Sequence, residues 1–168
     1  GLLTSQLQRT FPSDGLYLND LVEELCYHAA TVNHVPLKHC FPGDVEKLFL
    51  PLSFDLIASA STFQWFTTPE ETFKKLSKRL EQRGVLVFST FGKFNLREIR
   101  LTTGGGLDYR NKEELEKMLK PYFEIELIEE EFHMLEFDTP LAVLQHLKKT
   151  GVNVSGDPTI WTKGRVDA

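Results

Sequence analysis

The sequence has little of what disulfide staples, metal centres and membrane spans are made from. Only two of its 168 residues are cysteines, Cys26 and Cys40. They stand too far apart for a CxxC pair and have no histidine at ligand spacing, so no metal site is expected. Both are read as reduced, buried small hydrophobes. No run of about 18 apolar residues occurs, which argues against a spanning helix. Residues 1–20 also lack the charged start and apolar middle of a signal peptide, and a cytoplasmic protein is expected. There is no G-x-S-x-G elbow, Ser89 lies in a strand-like run without a predictable histidine base, and no GxxxxGK loop is present. Gly104, Gly105 and Gly106 are not followed by a helix start and read as a loop rather than an anion nest. A surplus of basic charge is missing too: 19 Lys and Arg face 24 Asp and Glu, for a net charge of -5. That balance argues against a nucleic-acid partner.

What is present describes one globular domain, 41% hydrophobic and 26% charged, long enough for a single core. Leu2, Leu3, Leu7 and Phe11 fall near one helical face before the Pro12-Ser13-Asp14-Gly15 turn cluster. GLYLND reads as a short buried strand, LVEELCYHAATVN as a helix, residues 35–42 as a weak strand and FDLIASA (54–60) as a clearer one. Thr68, Pro69 and Glu71 form a capping-box signature that opens a helix from 69 to 83, with Phe73, Leu76 and Leu80 on its apolar stripe and Gly84 beyond its end. GVLVFSTF (84–91) is nearly all apolar, as expected of a parallel strand covered by helices on both faces. A long loop follows. Asn111 with Glu114 opens another capped helix ending near Lys120, residues 123–137 alternate like a long strand, and Thr139-Pro140 starts a helix with leucines at 141, 144 and 147, stopped by Thr150-Gly151. The alternation predicts a layered α/β domain with a mostly parallel sheet and helices on both faces.

In such sheets ligands sit at the C-terminal ends of the strands. Asp20 is placed to accept hydrogen bonds from a ribose, or simply to cap the helix that follows; the two roles are compatible if Asn19 or the backbone does the capping. Asp44, after Pro42-Gly43, suits an exocyclic amine such as adenine's, although Pro-Gly-Asp is also a plain turn. At residues 59–66 small side chains are followed at once by Phe63, Trp65 and Phe66, a pattern that serves either a ligand slot or a core.

The runs at 54–66, 84–100, 106–111 and 136–153, with STFQW, FSTFG followed by Asn95-Leu96, and HLK-x-TG-x-N, together resemble the malonyl-carrier-protein O-methyltransferases of biotin biosynthesis. These are class I S-adenosylmethionine-dependent methyltransferases with a Rossmann-like fold, and the likeness extends over nearly all of the chain. The resemblance implies cofactor contacts at Asp20 and Leu21 (ribose), Asp44 and Val45 (adenine), and Ser59 and Ala60 (methionine end). It implies substrate contacts near Phe63 and Trp65. Asn95, Tyr109, Arg110 and His146 become candidates for gripping the substrate carboxylate, with no general base and no metal. The expected partner is malonyl-acyl carrier protein, or malonyl-CoA, with Lys148, Lys149, Arg97 and Arg100 as candidate docking charges and no membrane partner. The family's first strand and glycine-rich loop have no counterpart here beyond Gly1, and its last strand is lacking, so residues 1–168 are expected to form one truncated methyltransferase domain. A methyltransferase of another small carboxylate or hydroxyl, and a non-catalytic binding module of the same fold, are the alternatives. A nucleic-acid N-methyltransferase would show an NPPY-like turn where this chain has Ser59-Ala60-Ser61-Thr62.

Overall fold

The computed structural model describes residues 1–103 and 106–149. The chain divides into two compact units, one built from residues 1–90 with 118–124, the other from 91–117 with the residues from 125 on.

The first unit carries the sheet. Strand β1 (Phe54–Ala60) pairs in parallel with β2 (Leu80–Ser89), in the register Leu56 with Val85 through Ala60 with Ser89. Between Phe54–Leu80 and Leu56–Val85 the register slips, so residues 81–84 loop out as an irregularity on the β2 side. Gly84 belongs to that excursion. A Cβ there would come within 2.9 Å of the Glu81 carbonyl oxygen and 3.0 Å of Phe54's, contacts too short for any side chain. The neighbouring Arg83 has φ 69°.

Helix α3 (Pro69–Ser77) therefore ends sooner than its stripe predicted: Leu80 opens β2, and Gly84 shapes a bulge rather than a helix terminus. Strand pairing wins because Arg79's carbonyl accepts the Phe54 N–H at 2.8 Å, drawing the chain into the sheet two residues after the helix. Phe73, wholly buried, packs with Phe63, Phe88 and Phe123, and Phe63 itself stacks on Phe88 at 4.2 Å. Burial of such rings is the main source of stability here. Among the described residues this face of β2 is the better covered. Val85 and Val87, on the other face, are 46% and 52% exposed.

Residues 16–20 and 35–42 do not form ladders; they meet in one parallel bridge, Leu18 with Cys40. Residues 37–39 instead take a 3-10 turn. Hydrogen bonds from Leu18 N–H to the His39 carbonyl (3.0 Å) and from Phe41 N–H to the Leu18 carbonyl (2.8 Å) still hold the two stretches side by side. Tyr17 stacks on His39 at 4.2 Å and meets Phe54 edge-on at 5.8 Å, which joins this pair to the start of β1. Helix α2 (Glu23–Val32) buries Cys26 and Ala30 beneath it. Helix α1 (Leu2–Leu7) buries none of its own residues. It is held by polar contacts: Ser5 Oγ donates to Asn33 Oδ1 at 2.7 Å and Gln8 Nε2 to the Asn33 carbonyl at 2.6 Å. Leu2 and Phe11 consequently point outward, 88% and 39% exposed.

In the second unit, α4 (Arg97–Thr103) occupies part of the expected loop. Helix α5 (Lys112–Leu119), which runs on into the first unit, begins with the capping box foreseen for it: Glu114 N–H donates to Asn111 Oδ1 and Asn111 N–H to Glu114 Oε2, each at 2.8 Å. Residues 123–137 form no strand. Alternation needs a hydrogen-bonded neighbour to become one, and Leu127, Phe132 and Met134 stand 75%, 70% and 88% exposed. Helix α6 (Pro140–Lys149) starts with Thr139 Oγ1 accepting the Ala142 N–H at 3.2 Å. Of its leucine stripe, Leu147 is buried and Leu141 is not; the Thr150-Gly151 stop lies outside the described residues.

Candidate functional site

Asn19 fastens the segment after the Leu18–Cys40 bridge to the loop beside it. Its Nδ2 donates to the Phe41 carbonyl at 2.6 Å and the Gly43 carbonyl at 2.9 Å, while Gly43 N–H donates to the Asp20 carbonyl at 2.8 Å. Gly43 has φ 119° there, a conformation side chains resist. The segments bearing Asp20 and Asp44 are thus stapled together. Helix α2 has no side-chain cap; Asp20 instead closes the turn before it, its Oδ1 accepting the Val22 N–H at 2.9 Å. A carboxylate has room for about four donors, so a ribose can share it. Leu21, next in sequence, is 71% exposed.

Asp44 serves its own turn. Oδ1 accepts the Glu46 N–H at 2.9 Å, Oδ2 pairs with Lys47 Nζ at 2.9 Å, and its carbonyl accepts the Lys47 and Leu48 N–H groups. The hydrogen bond from Lys47 and that from the Glu46 amide hold its carboxyl below the ordinary value. The turn reading of Pro-Gly-Asp is realised, and the charged carboxylate stays partly open to further donors.

Ser59 and Ala60 end β1, and Ser61 turns the chain with φ 53° while its N–H donates to the Ser89 carbonyl at 2.9 Å. Gln64 bridges the two strand ends: Nε2 donates to the Ser61 carbonyl at 2.6 Å, and Oε1 accepts Thr90 Oγ1 at 3.1 Å. Phe63 is 7% exposed and lies in the ring cluster, so its side chain is core; Trp65, 45% exposed, is the open aromatic of this turn. Small residues at the strand end and a half-open indole beside them suit a flat ligand approaching the backbone.

Two residues without a local sequence signal, Glu46 and Lys75, tie these pieces together. Glu46 Oε2 accepts the Thr67 N–H (2.9 Å) and hydroxyl (3.0 Å), and Oε1 accepts the Thr68 N–H (2.7 Å) and hydroxyl (2.9 Å) and the Thr72 hydroxyl (3.3 Å). Burial works against that charge, but the Thr67 and Thr68 amides and hydroxyls outweigh it and bring the carboxyl down to about 2. The expected Thr68–Glu71 capping box does not form, and α3 has no side-chain cap; Glu46 instead grips the two residues that lead into the helix. Lys75, on the same helix, donates to the Val45 carbonyl at 2.6 Å. Local sequence carries no signal for a grip contributed from 21 residues upstream.

In the second unit Tyr109 is buried, with the Arg100 guanidinium 5.5 Å over its ring. Arg100 also donates to the Lys93 carbonyl at 3.0 Å. Arg110 is exposed and pairs with Asp108 at 3.4 Å. Asn95 closes a turn, its N–H donating to the Gly92 carbonyl at 2.9 Å, and His146 tilts against Phe137 at 5.2 Å. Tyr109, Arg110 and Asn95 are thus all in one unit with His146, and Asp20, Asp44, Ser59, Ala60 and Trp65 are all in the other.

Cys26 is buried and Cys40 half-buried, and neither is in a disulfide. Burial, then the neighbouring Cys40, pushes the Cys26 thiol up to about 11. No described helix is long and apolar enough to cross a membrane.

Residues 1–88 match a family described as methyltransferase domain. Among curated proteins the chain is 42% identical, over 97% of its length and 63% of the relative's, to the malonyl-[acyl-carrier protein] O-methyltransferase of Bacteroides thetaiotaomicron. It is 49% identical to the protein of that name from Bacteroides helcogenes, over 76% of this chain and 46% of the relative. Against the Haemophilus ducreyi protein of the same name the identity is 37%, over 99% of this chain and 66% of the relative. The chain spans less than two thirds of the length of these relatives.

Proposed function

We propose, on the premise that this chain belongs to the class I methyltransferase family, that it acts within a cytoplasmic enzyme that methylates the free carboxylate of malonyl-acyl carrier protein, using S-adenosylmethionine, in biotin precursor synthesis. The observation that carries the cofactor half is the stapling of the segments bearing Asp20 and Asp44 by Asn19 and by the Gly43–Asp20 backbone bond. The donor chemistry fits the cofactor. Asp20 offers carboxylate oxygens to vicinal hydroxyls with Leu21 alongside, Asp44 and Val45 offer acceptor and apolar contact to adenine, and Ser59 and Ala60 let the methionine end come close to backbone. The substrate half rests on the relatives' names.

When bound, S-adenosylmethionine supplies a methyl group on a sulfonium, open to in-line displacement. A malonyl carboxylate is already ionised at neutral pH, so this chain's residues need move no proton. Their task is to align the carboxylate oxygen and keep water out, which is where proximity gives its rate advantage. Trp65 borders the transfer site from the strand end. Asn95, Tyr109, Arg110 and His146 are the candidates for holding the carboxylate, Arg110 by the planar fork suited to it. Lys148 and Lys149, exposed on α6, with Arg97 and Arg100 present positive charge to an acidic carrier protein.

The deciding experiment is methyl transfer from labelled S-adenosylmethionine to malonyl-loaded carrier protein by the full-length protein. Labelled methyl ester on the carrier is the expected product. Cofactor binding without transfer overturns the malonyl assignment and leaves a methyltransferase of another substrate.

A further inference from the structure

The peptide group between Val45 and Glu46 is held at both of its polar ends. Lys75 Nζ donates to its carbonyl at 2.6 Å, and its N–H donates to Asp44 Oδ1 at 2.9 Å. The next side chain, Glu46, is gripped by Thr67, Thr68 and Thr72 around the start of α3. Consecutive residues 44, 45 and 46 are each fixed, and two of the fixings come from α3. Rotation of that peptide would carry Asp44 Oδ1 with it, because the Glu46 N–H is one of the two donors that orient the carboxylate. The other donor, Lys47, is exposed over most of its side chain and is a weak restraint in water. The orientation of Asp44 is therefore set mainly from α3, through a lysine committed to a neutral carbonyl rather than to an acid.

We propose that Lys75 and Glu46 are positioning residues that aim the Asp44 carboxylate at the amino group of the cofactor's adenine, so that discrimination of that base depends on α3. This rests on the cofactor reading above. It goes beyond it in naming side chains that touch no ligand yet set which base is accepted.

The test is calorimetric binding of S-adenosylhomocysteine and of its inosine counterpart, in which a carbonyl replaces the amine, to the full-length protein. The wild type is expected to prefer the amine-bearing ligand. Lys75→Met and Glu46→Gln are each expected to narrow that preference by about two- to tenfold, the range of one hydrogen bond, and Lys75→Arg to restore it. Urea midpoints are measured on each variant. A variant that weakens both ligands equally, leaving the ratio at the wild-type value, shows a merely structural role and overturns the inference. If Glu46→Gln does not fold, Lys75→Met reads the same ratio. Wild-type protein that binds neither ligand fails the cofactor reading itself. Wild-type protein that binds tightly and selectively, beside variants that keep the ratio, fails only the role given to α3.

Discussion

The two compact units are built to different standards. The first has a parallel strand pair, a ring cluster around the wholly buried Phe73, and a hydrogen-bonded frame that ties strand ends, loop and helix together. The second contributes only Tyr109 and Leu147 to the buried apolar set among the described residues, while Phe94, Leu101, Leu127, Phe132 and Met134 stand more than half exposed. A preorganised frame is what a cofactor shared by many enzymes calls for. The contrast teaches that the proposed cofactor side is specified by packing and hydrogen bonds within its own unit, whereas the proposed substrate side is specified by residue types on a sparsely packed one.

The sharpest test of this contrast is truncation of one apolar side chain in each unit. Phe73→Ala is expected to cost about 3–5 kcal/mol in urea unfolding, and Leu127→Ala no more than about 0.5 kcal/mol. Comparable losses would break the comparison. Next comes the bulge: Gly84→Ala forces a Cβ against the Glu81 and Phe54 carbonyls and is expected to cost about 1–3 kcal/mol.

Acid should also act first on the first unit. The Glu46 carboxyl lies at about 2 in the folded chain against an ordinary 4.5. A depressed folded value means that its contribution is complete above about 4.5 and is lost as pH falls toward 2. Partial exposure limits that contribution to roughly 1–2 kcal/mol, and Glu46→Gln should flatten this part of the stability curve. The smallest effect is chemical. At pH 8 a thiol reagent should label Cys40 well before Cys26, whose thiol is buried and held near 11. Equal labelling rates would mean that the cover over α2 opens readily.

Much of the first unit was legible because its signals are local. The apolar run of β1, the Pro69 start of α3 and the Asn111–Glu114 box of α5 each depend on residues within one turn or one strand. The errors came where a partner decides the outcome. Residues 123–137 alternate yet join no ladder among the described residues, and 16–20 and 35–42 satisfy each other through a single bridge. Leu80 fits a helical stripe, but the Phe54 amide beside it claims the chain for the sheet. The candidate site divides the same way. Asp20 and Asp44 were singled out because acids at expected strand ends are informative, and in the structure both support their own turns. Glu46 and Lys75 were missed because their partners lie 21 to 30 residues away. Phe63 and Trp65 look alike in sequence, and only packing separates the core ring from the open one.

Gln64 spans the gap between the two strand ends with a group that has a sense of direction. Its amide presents hydrogens to the Ser61 carbonyl and an oxygen to the Thr90 hydroxyl. Asparagine is one methylene too short to repeat the span, and glutamate, nearly identical in shape, would set oxygen against oxygen at Ser61. The crossing thus works as a lock with one orientation of key, and loss of the side-chain nitrogen by slow hydrolysis of Gln64 would turn a clasp into a repulsion without altering the length of the chain or the size of a single residue.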